Sequence, residues 1–366
     1  MKPNERFFTF EEDFRDPYAR DRDRVIHCSS FRRLEYKTQV FLNHEGDYFR
    51  TRLTHSLEVS QIARTLSRQL GINETLSEVI ALSHDLGHTP FGHVGGDTLD
   101  ELLKVDGFEM GFEHNFQSFR VLTKLEQRYK DFDGLNLTFA TLEGVLKHSY
   151  PYKKPFLHNL DKRFDLKKHP SLEAMVVDHA DEIAYTSHDI DDGIKYNLIS
   201  FDDIMDTELA QRVDDMVKGE GVQRDDRLYR HRFVAGLIKL LVEDFISNSQ
   251  AGVAKFKKDK PISATISSEI PLPVGFSKET TTQLKRLKKV LFAKLYRHEK
   301  IVAKMYAGKQ CIRTLYRSFM EESDLLPSRQ KADLERRPKH RVVADYIASM
   351  TDRYALKIYK DISGLN

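Results

Sequence analysis

The chain has 366 residues, enough for one large domain or two to three smaller ones, each with its own hydrophobic core. Hydrophobic residues make up 40%, charged residues 31% and the net charge is +2, which is typical of a globular protein and excludes a disordered or fibrous chain. Two distant cysteines exclude a disulfide framework, and without a signal-peptide pattern or an apolar run of about 18 residues we expect a cytoplasmic protein with no membrane span.

Apolar residues spaced by three and four predict a helix over residues 52–71, with His55 in its first turn. A second helix follows Asn73, a good N-cap, and ends at His84 and Asp85. The next stretch, LGHTPFGHVGG, has four glycines and a proline. We therefore expect it to form an ordered loop.

The rest of the chain is also predicted to be mainly helical. Helical patterns resume near Asp97 and then cover residues 115–129, 138–149, 171–198, 280–306 and 341–362. Residues 262–270 alternate apolar and polar side chains, as a short hairpin or edge strand would. We find no internal repeat, so the sequence predicts an all-α fold.

The net charge of +2 hides an uneven distribution along the chain. Between Lys278 and Arg341 there are eighteen Lys and Arg residues against seven Asp and Glu residues. Such a basic stretch suits a polyanionic partner. The solvated face of long helices explains it about equally well, so both interpretations stay open.

The predicted helix over residues 171–198 combines an apolar stripe with an acidic stripe. Asp181, Tyr185 and Asp189 follow one another at steps of four, which places them on one side of the helix. They could line a cleft, with one carboxylate for a metal, an aromatic side chain for a ring and a second carboxylate for a hydroxyl. A purely solvated acidic face is the alternative.

His84 and Asp85 are adjacent at the end of an otherwise apolar helix, where an imidazole and a carboxylate can face one cation. A core histidine bonded to a neighbouring carboxylate explains the pair about as well. Adding His55 and Asp181 from other helices gives two imidazoles and two carboxylates, a set suited to Mn, Fe, Co, Ni or Zn. Such a site can leave positions open for water and a phosphate oxygen, so the sequence indicates metal-assisted phosphoryl chemistry.

Several long blocks together resemble bacterial deoxyguanosinetriphosphate triphosphohydrolases of the HD-domain superfamily. They lie in order between residues 20 and 360 and read RDRDRVIHCSSFRRLEYKTQVF, FRTRLTHSLEVSQIAR, HDLGHTPFGH, FEHNFQS, LKHSYP, HADEIAYTSHDIDD and DYIASMTDRYA. The resemblance implies a helical HD-domain bundle extended by further C-terminal helices. We expect the HD core and an N-terminal family segment within residues 1–200, and a helical region packed on it within residues 201–366, basic from 278 to 341.

The resemblance also implies hydrolysis of a deoxynucleoside triphosphate to the deoxynucleoside and intact triphosphate, by an enzyme acting on phosphoric ester bonds. One divalent metal ion per subunit (Mn, Mg, Ni, Co, Fe or Zn) would be held by four residues that match the family pattern, namely His55, His84, Asp85 and Asp181. His93 would be the general acid or base near the scissile bond. His114 would join it as a catalytic residue beside the phosphates.

The substrate contacts that the resemblance implies are of two kinds. Arg52, His88 and Lys147 would contact or flank the triphosphate, whose negative charge cations offset. Tyr185 would pack against the sugar where a ribose 2′-hydroxyl would clash, and Asp189 would accept from the 3′-hydroxyl. The remaining contacts are Gln39 at the sugar, Asn115 and, across a subunit contact, Arg341. Ordinary structural roles are the alternative for each, such as an ion pair between Arg52 and an acid.

One position departs from the family pattern. The family usually reads GHxGE where this chain reads GHVGGD, so Gly96 stands in place of the glutamate that would orient His93. Asp97 follows one residue later, and a shift of one residue on a helix turns a side chain by about 100°. We therefore do not expect Asp97 to replace the glutamate fully.

Three functions stay open at this point. The first is a dNTP triphosphohydrolase, a ring-like homo-oligomer with a possible second dNTP as effector. The second is a weakly active or inactive oligomer that binds dNTPs or single-stranded DNA, which Gly96 and the basic stretch would favour. The third is another HD phosphohydrolase acting on nucleotides, such as a nucleotidase acting on monophosphates, for which the Arg52 and Lys147 charges would be in excess.

Overall fold

The computed structural model describes residues 2–9, 14–39, 50–149, 160–166, 168–259, 266–267 and 274–364. Within these residues the chain is built from α-helices, two short 3₁₀ helices (Leu34–Tyr36 and Ser323–Leu325), one π-helix (Val121–Leu125) and one pair of two-residue strands, which confirms the predicted all-α class. The helices are α1 (Pro17–Ile26), α2 (Ser29–Arg33), α3 (Arg52–Leu70), α4 (Glu74–Ser83), α5 (Gly92–Val105), α6 (His114–Arg120), α7 (Phe139–Leu146), α8 (Leu172–Lys195), α9 (Phe201–Ile204), α10 (Glu208–Gly219), α11 (Tyr229–Asp259), α12 (Lys278–Lys294), α13 (Glu299–Glu321), α14 (Ser328–Leu334), α15 (Lys339–Ala348) and α16 (Asp352–Ser363). The strands are β1 (Lys168–His169) and β2 (Ile266–Ser267).

Helices α3 and α4 form where the apolar spacing predicts them. Gly71, directly after α3, takes a left-handed φ of 62°, as a helix-ending glycine does. The side-chain oxygen of Asn73 accepts from the backbone N–H of Leu76 at 2.9 Å, which caps the start of α4 as expected. Three of the four predicted ligands, His55, His84 and Asp85, therefore lie at or next to the ends of two well-defined helices.

Helix α5 begins at Gly92, earlier than the predicted start near Asp97. Gly95 and Gly96 therefore lie within a helix, and the predicted loop is shorter than expected. The prediction was wrong because it treated every glycine in this stretch as a helix breaker. A Cβ atom on Gly95 would lie 2.1 Å from the carbonyl oxygen of Pro90, so the close passage of the preceding loop requires glycine there.

Two long predicted helices are each divided into two. The predicted helix over 280–306 is α12 followed by the start of α13, and the one over 341–362 is α15 followed by α16. At the first break the His298 ring accepts from the backbone N–H of Lys300 at 3.3 Å. At the second break the side chain of Thr351 caps α16. Both new helices start at side-chain caps without any Gly or Pro, which periodicity alone does not reveal.

The chain divides into two compact units. The first unit consists of Met1–Ser56, Leu82–Leu166 and Ala303–Asn366. Its apolar core joins α5 and the later turns of α13 to α15 and α16, with buried side chains that include Leu99, Leu103, Leu315, Phe319, Val343 and Ile347. Residues from three distant segments thus build the unit that contains the His-Asp pair.

The second unit consists of Leu57–Ala81 and Lys167–Val302. In it α11 packs on α8 and α10, and α12 packs on α9 and α10. Strands β1 and β2 pair antiparallel, which confirms a strand within the predicted range 262–270. Both units combine segments from either side of residue 200, and the predicted division there stays a prediction. In the described part of the chain, no helix is both long enough and apolar enough to span a bilayer.

Candidate active site

Residues at the ends of α3 and α4 form a buried polar cluster in the first unit. Arg52 and His55 lie in the first turn of α3, and His84 and Asp85 directly follow α4. One Asp85 oxygen lies 2.7 Å from Arg52 Nη1 and 4.0 Å from His55 Nε2. The other Asp85 oxygen lies 3.4 Å from His84 Nε2. All four side chains are buried. Two imidazoles and a carboxylate grouped in this way match the donor chemistry of a divalent-cation site.

The carboxylate of Asp85 remains ionised although it is buried. Burial alone would raise its pKa, but the Arg52 guanidinium and the rings of His84 and His88 hold the pKa well below its usual value. His88 Nε2 also lies 3.0 Å from Asp85 Oδ1. The ionised carboxylate of Asp85 therefore lies beside the imidazoles of His55 and His84, the two candidate metal ligands.

Three histidines form a second cluster in the same unit. His88, His93 and His114 offer ring nitrogens that lie within 4.8 Å of one another, and the rings of His88 and His114 stack with centroids 4.1 Å apart. Burial lowers the pKa of His88 well below its usual value and, with His93 nearby, lowers the pKa of His114 to about 3. His93, in contrast, is exposed. The structure thus brings together His93, which the resemblance assigns to acid-base catalysis near the scissile bond, and His88 and His114, which it assigns to the phosphates.

Gly87 holds the loop of residues 84–91, which we call the His-Asp loop, against the start of α6, which carries His114. A Cβ atom on Gly87 would lie 2.1 Å from the backbone nitrogen of Ser118 and 2.3 Å from the carbonyl oxygen of His114, so a larger residue does not fit. The Ser118 hydroxyl donates to the His84 carbonyl at 2.6 Å and accepts from the Gly87 N–H at 2.8 Å. These contacts fix the His-Asp loop beside His114.

Three predicted substrate contacts carry buried polar atoms without a hydrogen-bond partner. These atoms are Gln39 Oε1, Arg52 Nε and Asn115 Oδ1, and no described residue bonds to any of them. A buried polar group left unpaired costs about 1–3 kcal/mol, so a bound ligand or water that completes these three atoms would be favourable. Gln39 and Arg52 also flank the start of α5, because the Gln39 carbonyl and an Arg52 nitrogen approach the ideal Cβ position of Gly92 at 3.3 and 3.6 Å.

Lys147 and Arg341 have contacts of an ordinary structural kind. Lys147 is buried, and its Nζ lies 2.8 Å from Glu143 Oε1, one helical turn earlier. The Arg341 guanidinium lies 4.7 Å above the ring of Phe108. Burial, with Arg120 nearby, lowers the pKa of Arg341 to about 10. The nucleotide roles expected of Lys147 and Arg341 therefore stay predictions.

His148 is a neighbour of the site that sequence reasoning did not single out. Its ring lies 4.8 Å from the ring of His84, and its carbonyl accepts from Asn115 Nδ2 at 2.9 Å. The signal was present, because His148 belongs to the LKHSYP block that drew attention to Lys147. A third imidazole thus stands next to the candidate metal ligands.

Gly96 and Asp97 both lie in the first half of α5, three and four residues after His93. Gly96 has room for a side chain, since the nearest atoms to an ideal Cβ, on Phe112 and Thr89, are 3.8 Å away. Asp97 is exposed. Helical residues three and four apart are neighbours, so both positions share the helix side of His93.

In the second unit, α8 carries Asp181, Tyr185 and Asp189. The predicted apolar stripe is buried from Leu172 to Ile190, as expected. The acidic stripe is not a purely solvated face, because Asp189 and Asp192 are also buried and Asp181 is half-buried. The alternative of a solvated acidic face is therefore wrong for these positions, although the roles of Asp181, Tyr185 and Asp189 stay predictions.

Two further residues of the second unit contact the predicted sugar-binding side chains. Lys288 Nζ lies 4.8 Å above the Tyr185 ring and 2.8 Å from Glu182 Oε1. The Tyr296 hydroxyl donates to Asp189 Oδ2. Sequence reasoning missed both residues, because Lys288 belongs to a run interpreted only as charge and no motif surrounds Tyr296.

Comparison with known proteins identifies the family of the chain. The model of the HD domain matches residues 52–186, and the model of the phosphohydrolase-associated domain matches residues 274–361. A deoxyguanosinetriphosphate triphosphohydrolase-like protein of Wolinella succinogenes is 62% identical over 99% of both chains. Proteins of the same description from Geobacter metallireducens and Nitrosomonas europaea are 44% and 45% identical over 96% and 94% of this chain and 90% and 91% of their own. The chain therefore belongs to the deoxyguanosinetriphosphate triphosphohydrolase-like family of HD-domain phosphohydrolases.

Proposed function

We propose that the protein hydrolyses deoxynucleoside triphosphates to deoxynucleoside and triphosphate with the help of a divalent cation. The names of its relatives support this activity. The structural observation that carries the proposal is that buried atoms on Gln39, Arg52 and Asn115, beside a buried His-Asp cluster, have no hydrogen-bond partner among the described residues. These atoms offer acceptors for hydroxyl groups and a donor for a phosphate oxygen, which together suit a nucleotide.

His55, His84 and Asp85 would hold the cation, and the family resemblance adds Asp181 to this set. The donors fit, because they combine imidazole nitrogens with a carboxylate that stays ionised when buried. When bound, a divalent cation would act as a Lewis acid on a phosphoryl oxygen. Mn, Mg, Ni, Co, Fe and Zn are all candidates.

Arg52 can serve Asp85 and a phosphate at the same time. A guanidinium has five N–H donors, and Asp85 takes one of them at 2.7 Å. The Nε–H of Arg52 has no partner among the described residues. Arg52 would thus orient the Asp85 carboxylate and offer a free donor to the triphosphate.

His93 is the residue we assign to proton transfer. Hydrolysis adds water across the bond between the 5′-oxygen and the α-phosphorus, and the departing 5′-oxygen takes up a proton. His93 is the exposed member of its cluster, whereas burial favours the neutral form of His88 and His114. The buried ring of His88 and the half-buried ring of His114 would therefore act as hydrogen-bond partners of the phosphates.

The deciding experiment measures the products released from each of the four dNTPs by metal-stripped protein, with Mn or Mg added back. We expect equal amounts of deoxynucleoside and triphosphate, and no release without metal. Release of monophosphate and pyrophosphate, or hydrolysis of deoxynucleoside monophosphates alone, would instead indicate another HD phosphohydrolase activity. Tight dNTP binding without products would support the alternative that Gly96 favours, a binding oligomer with little turnover.

The remaining expectations are part of the same proposal. We infer a ring-like homo-oligomer in the cytoplasm, with a second dNTP or single-stranded DNA as a possible effector at the basic stretch 278–341. The resemblance and the charge of that stretch support these inferences. Light scattering and activity titrations with dNTPs or single-stranded DNA test them.

A further inference from the structure

Lys37 and Thr38 begin the KTQV block, which is residues 37–40. These two residues connect the His-Asp loop to the break between α15 and α16. Lys37 Nζ donates to the carbonyl of His88 at 2.5 Å and to the carbonyl of Ala348 at 2.8 Å. The backbone N–H of Thr38 donates to Asp352 Oδ2 at 3.0 Å, and the Thr38 hydroxyl donates to the same oxygen. Lys37, Thr38 and Asp352 are all buried. The KTQV and DYIASMTDRYA blocks therefore meet at one buried polar junction.

The second oxygen of Asp352 binds the last residue before α5. Asp352 Oδ1 accepts from the backbone N–H of Phe91 at 3.0 Å. Phe91 has φ 63° and ψ 25°, the left-handed conformation, which is uncommon for any non-glycine residue and disfavoured for a bulky one. The next residue, Gly92, starts the helix, and His93 follows it. The conformation of Phe91 thus determines the direction in which α5 begins and where His93 lies.

The ring of Phe91 is held as firmly as its backbone. The ring is buried in the apolar core of the first unit. Gly308 of α13 leaves space for it, because a Cβ atom on Gly308 would lie 2.9 Å from both Cβ and Cγ of Phe91. A strained backbone conformation persists only where several contacts around it stabilise it. For Phe91 these are the hydrogen bond from its backbone N–H to Asp352 and the packing of its ring against Gly308.

We propose that Asp352 is a positioning residue for His93. Its carboxylate holds Phe91 in the left-handed conformation and thereby fixes the first turn of α5, while Lys37 fixes the other end of the loop at His88. This inference rests on the proposed function, because it is His93 that we assign to proton transfer. It gives the DYIASMTDRYA block a role in the active site although Asp352 contacts no predicted ligand or substrate residue.

The test compares Asp352→Asn with Asp361→Asn, which makes the same change at an exposed position of the same helix. An amide replaces one acceptor oxygen by an N–H donor, so it cannot accept from Phe91 and from both donors of Thr38 together. We expect kcat for dNTP hydrolysis to fall roughly 10- to 100-fold with KM and metal content little changed. We also expect faster amide exchange in residues 88–93 than in the rest of the first unit. Asp361→Asn should behave as the unsubstituted protein.

A double-mutant cycle separates positioning from general stabilisation. Glycine adopts the left-handed conformation without strain, so in a Phe91→Gly background there is no strain for Asp352 to offset. Asp352→Asn should therefore cost little further kcat in that background. An equal loss in both backgrounds, or exchange that rises uniformly across the unit, would overturn the proposal.

A milder variant keeps the test usable if Asp352→Asn does not fold. Thr38→Val removes one donor to Asp352 while conserving side-chain size, and it should shift kcat and local exchange in the same direction by a smaller amount. Unchanged kcat and exchange in Thr38→Val and Asp352→Asn would refute the positioning role. Amide exchange can be measured in a protein that has no activity. If the unsubstituted protein hydrolyses no dNTP, the proposed function fails. The exchange rates of residues 88–93 would still show whether Asp352 positions the loop.

Discussion

Gly96→Glu is a substitution that should make the protein both more stable and more active. Gly96 lies inside α5, where glycine is about 0.5–1 kcal/mol less favourable than a good helix former. The nearest atoms to an ideal Cβ are 3.8 Å away, so no repacking cost offsets this gain. We therefore expect the free energy of unfolding to rise by about 1 kcal/mol.

The same carboxylate should increase turnover. It would lie one helical turn after His93, where it can orient the ring and favour its cationic form. Partners of this kind change activity by roughly 10- to 100-fold in metal sites, and we expect a gain at the lower end because Asp97 already lies on the same side of α5. Triphosphate release from dGTP measures kcat, and urea unfolding measures stability.

Matched variants at two neighbouring glycines separate the two effects. Gly96→Gln has the shape of glutamate without its charge, so it should gain stability but not turnover. Gly95→Ala should lose about 1–3 kcal/mol, because its Cβ would lie 2.1 Å from the Pro90 carbonyl oxygen. The reasoning is refuted if Gly96→Glu is less stable than the parent protein, and the orienting role is refuted if Gly96→Glu and Gly96→Gln turn over equally fast.

Three further predictions test the proposed site. His93→Ala should remove most dNTP hydrolysis and leave the bound metal unchanged by elemental analysis; hydrolysis at the parental rate would show that another group transfers the proton. Tyr185→Ala should raise the ratio of GTP to dGTP hydrolysis, and an unchanged ratio would exclude Tyr185 as the side chain that rejects ribose. If single-stranded DNA binds the basic stretch, the logarithm of its binding constant should fall with the logarithm of the salt concentration, with a slope near −0.7 per phosphate contacted, and Arg341→Ala should weaken binding. An affinity that neither salt nor this substitution changes would favour the interpretation of the stretch as a solvated helix face.

The fold could be predicted wherever local patterns decide the structure. The spacing of apolar residues and the Asn73 cap placed α3 and α4 correctly, because both signals act within one or two helical turns. The start of α5 could not be predicted in this way. Gly95 is required by the close approach of Pro90, a tertiary contact that composition does not show.

The charge of the stretch between Lys278 and Arg341 is another property that the sequence alone does not predict well. At least seven of its eighteen cations pair with carboxylates, and most of these partners lie in other segments of the same unit. Arg286 pairs with Glu208, for example, and Lys309 and Arg313 share Glu101. The sum of charges along the sequence therefore overstates the positive charge that this stretch can offer to a polyanion.

In the candidate site too, local sequence patterns identified some residues and missed others. His84 and Asp85 were found because they are adjacent, and His55 because a helical pattern places it at a helix start. Lys288 and Tyr296 lie about one hundred residues from the side chains they contact, so no local pattern connects them. The contact between Tyr296 and Asp189 exists only after α8 and the end of α12 have come together.

Buried charge explains why the His-Asp pair depends on so much of its surroundings. An ionised carboxylate within a protein is costly unless cations and donors compensate it, and Arg52 and His88 supply that compensation for Asp85. His88 is in turn held through its carbonyl by Lys37, whose neighbour Thr38 binds Asp352. Apart from the local contact between Asp85 and His88, these contacts join residues far apart in the chain. The proposed metal-ligand pair His84 and Asp85 therefore lies in a network to which residues near the start and near the end of the chain both contribute.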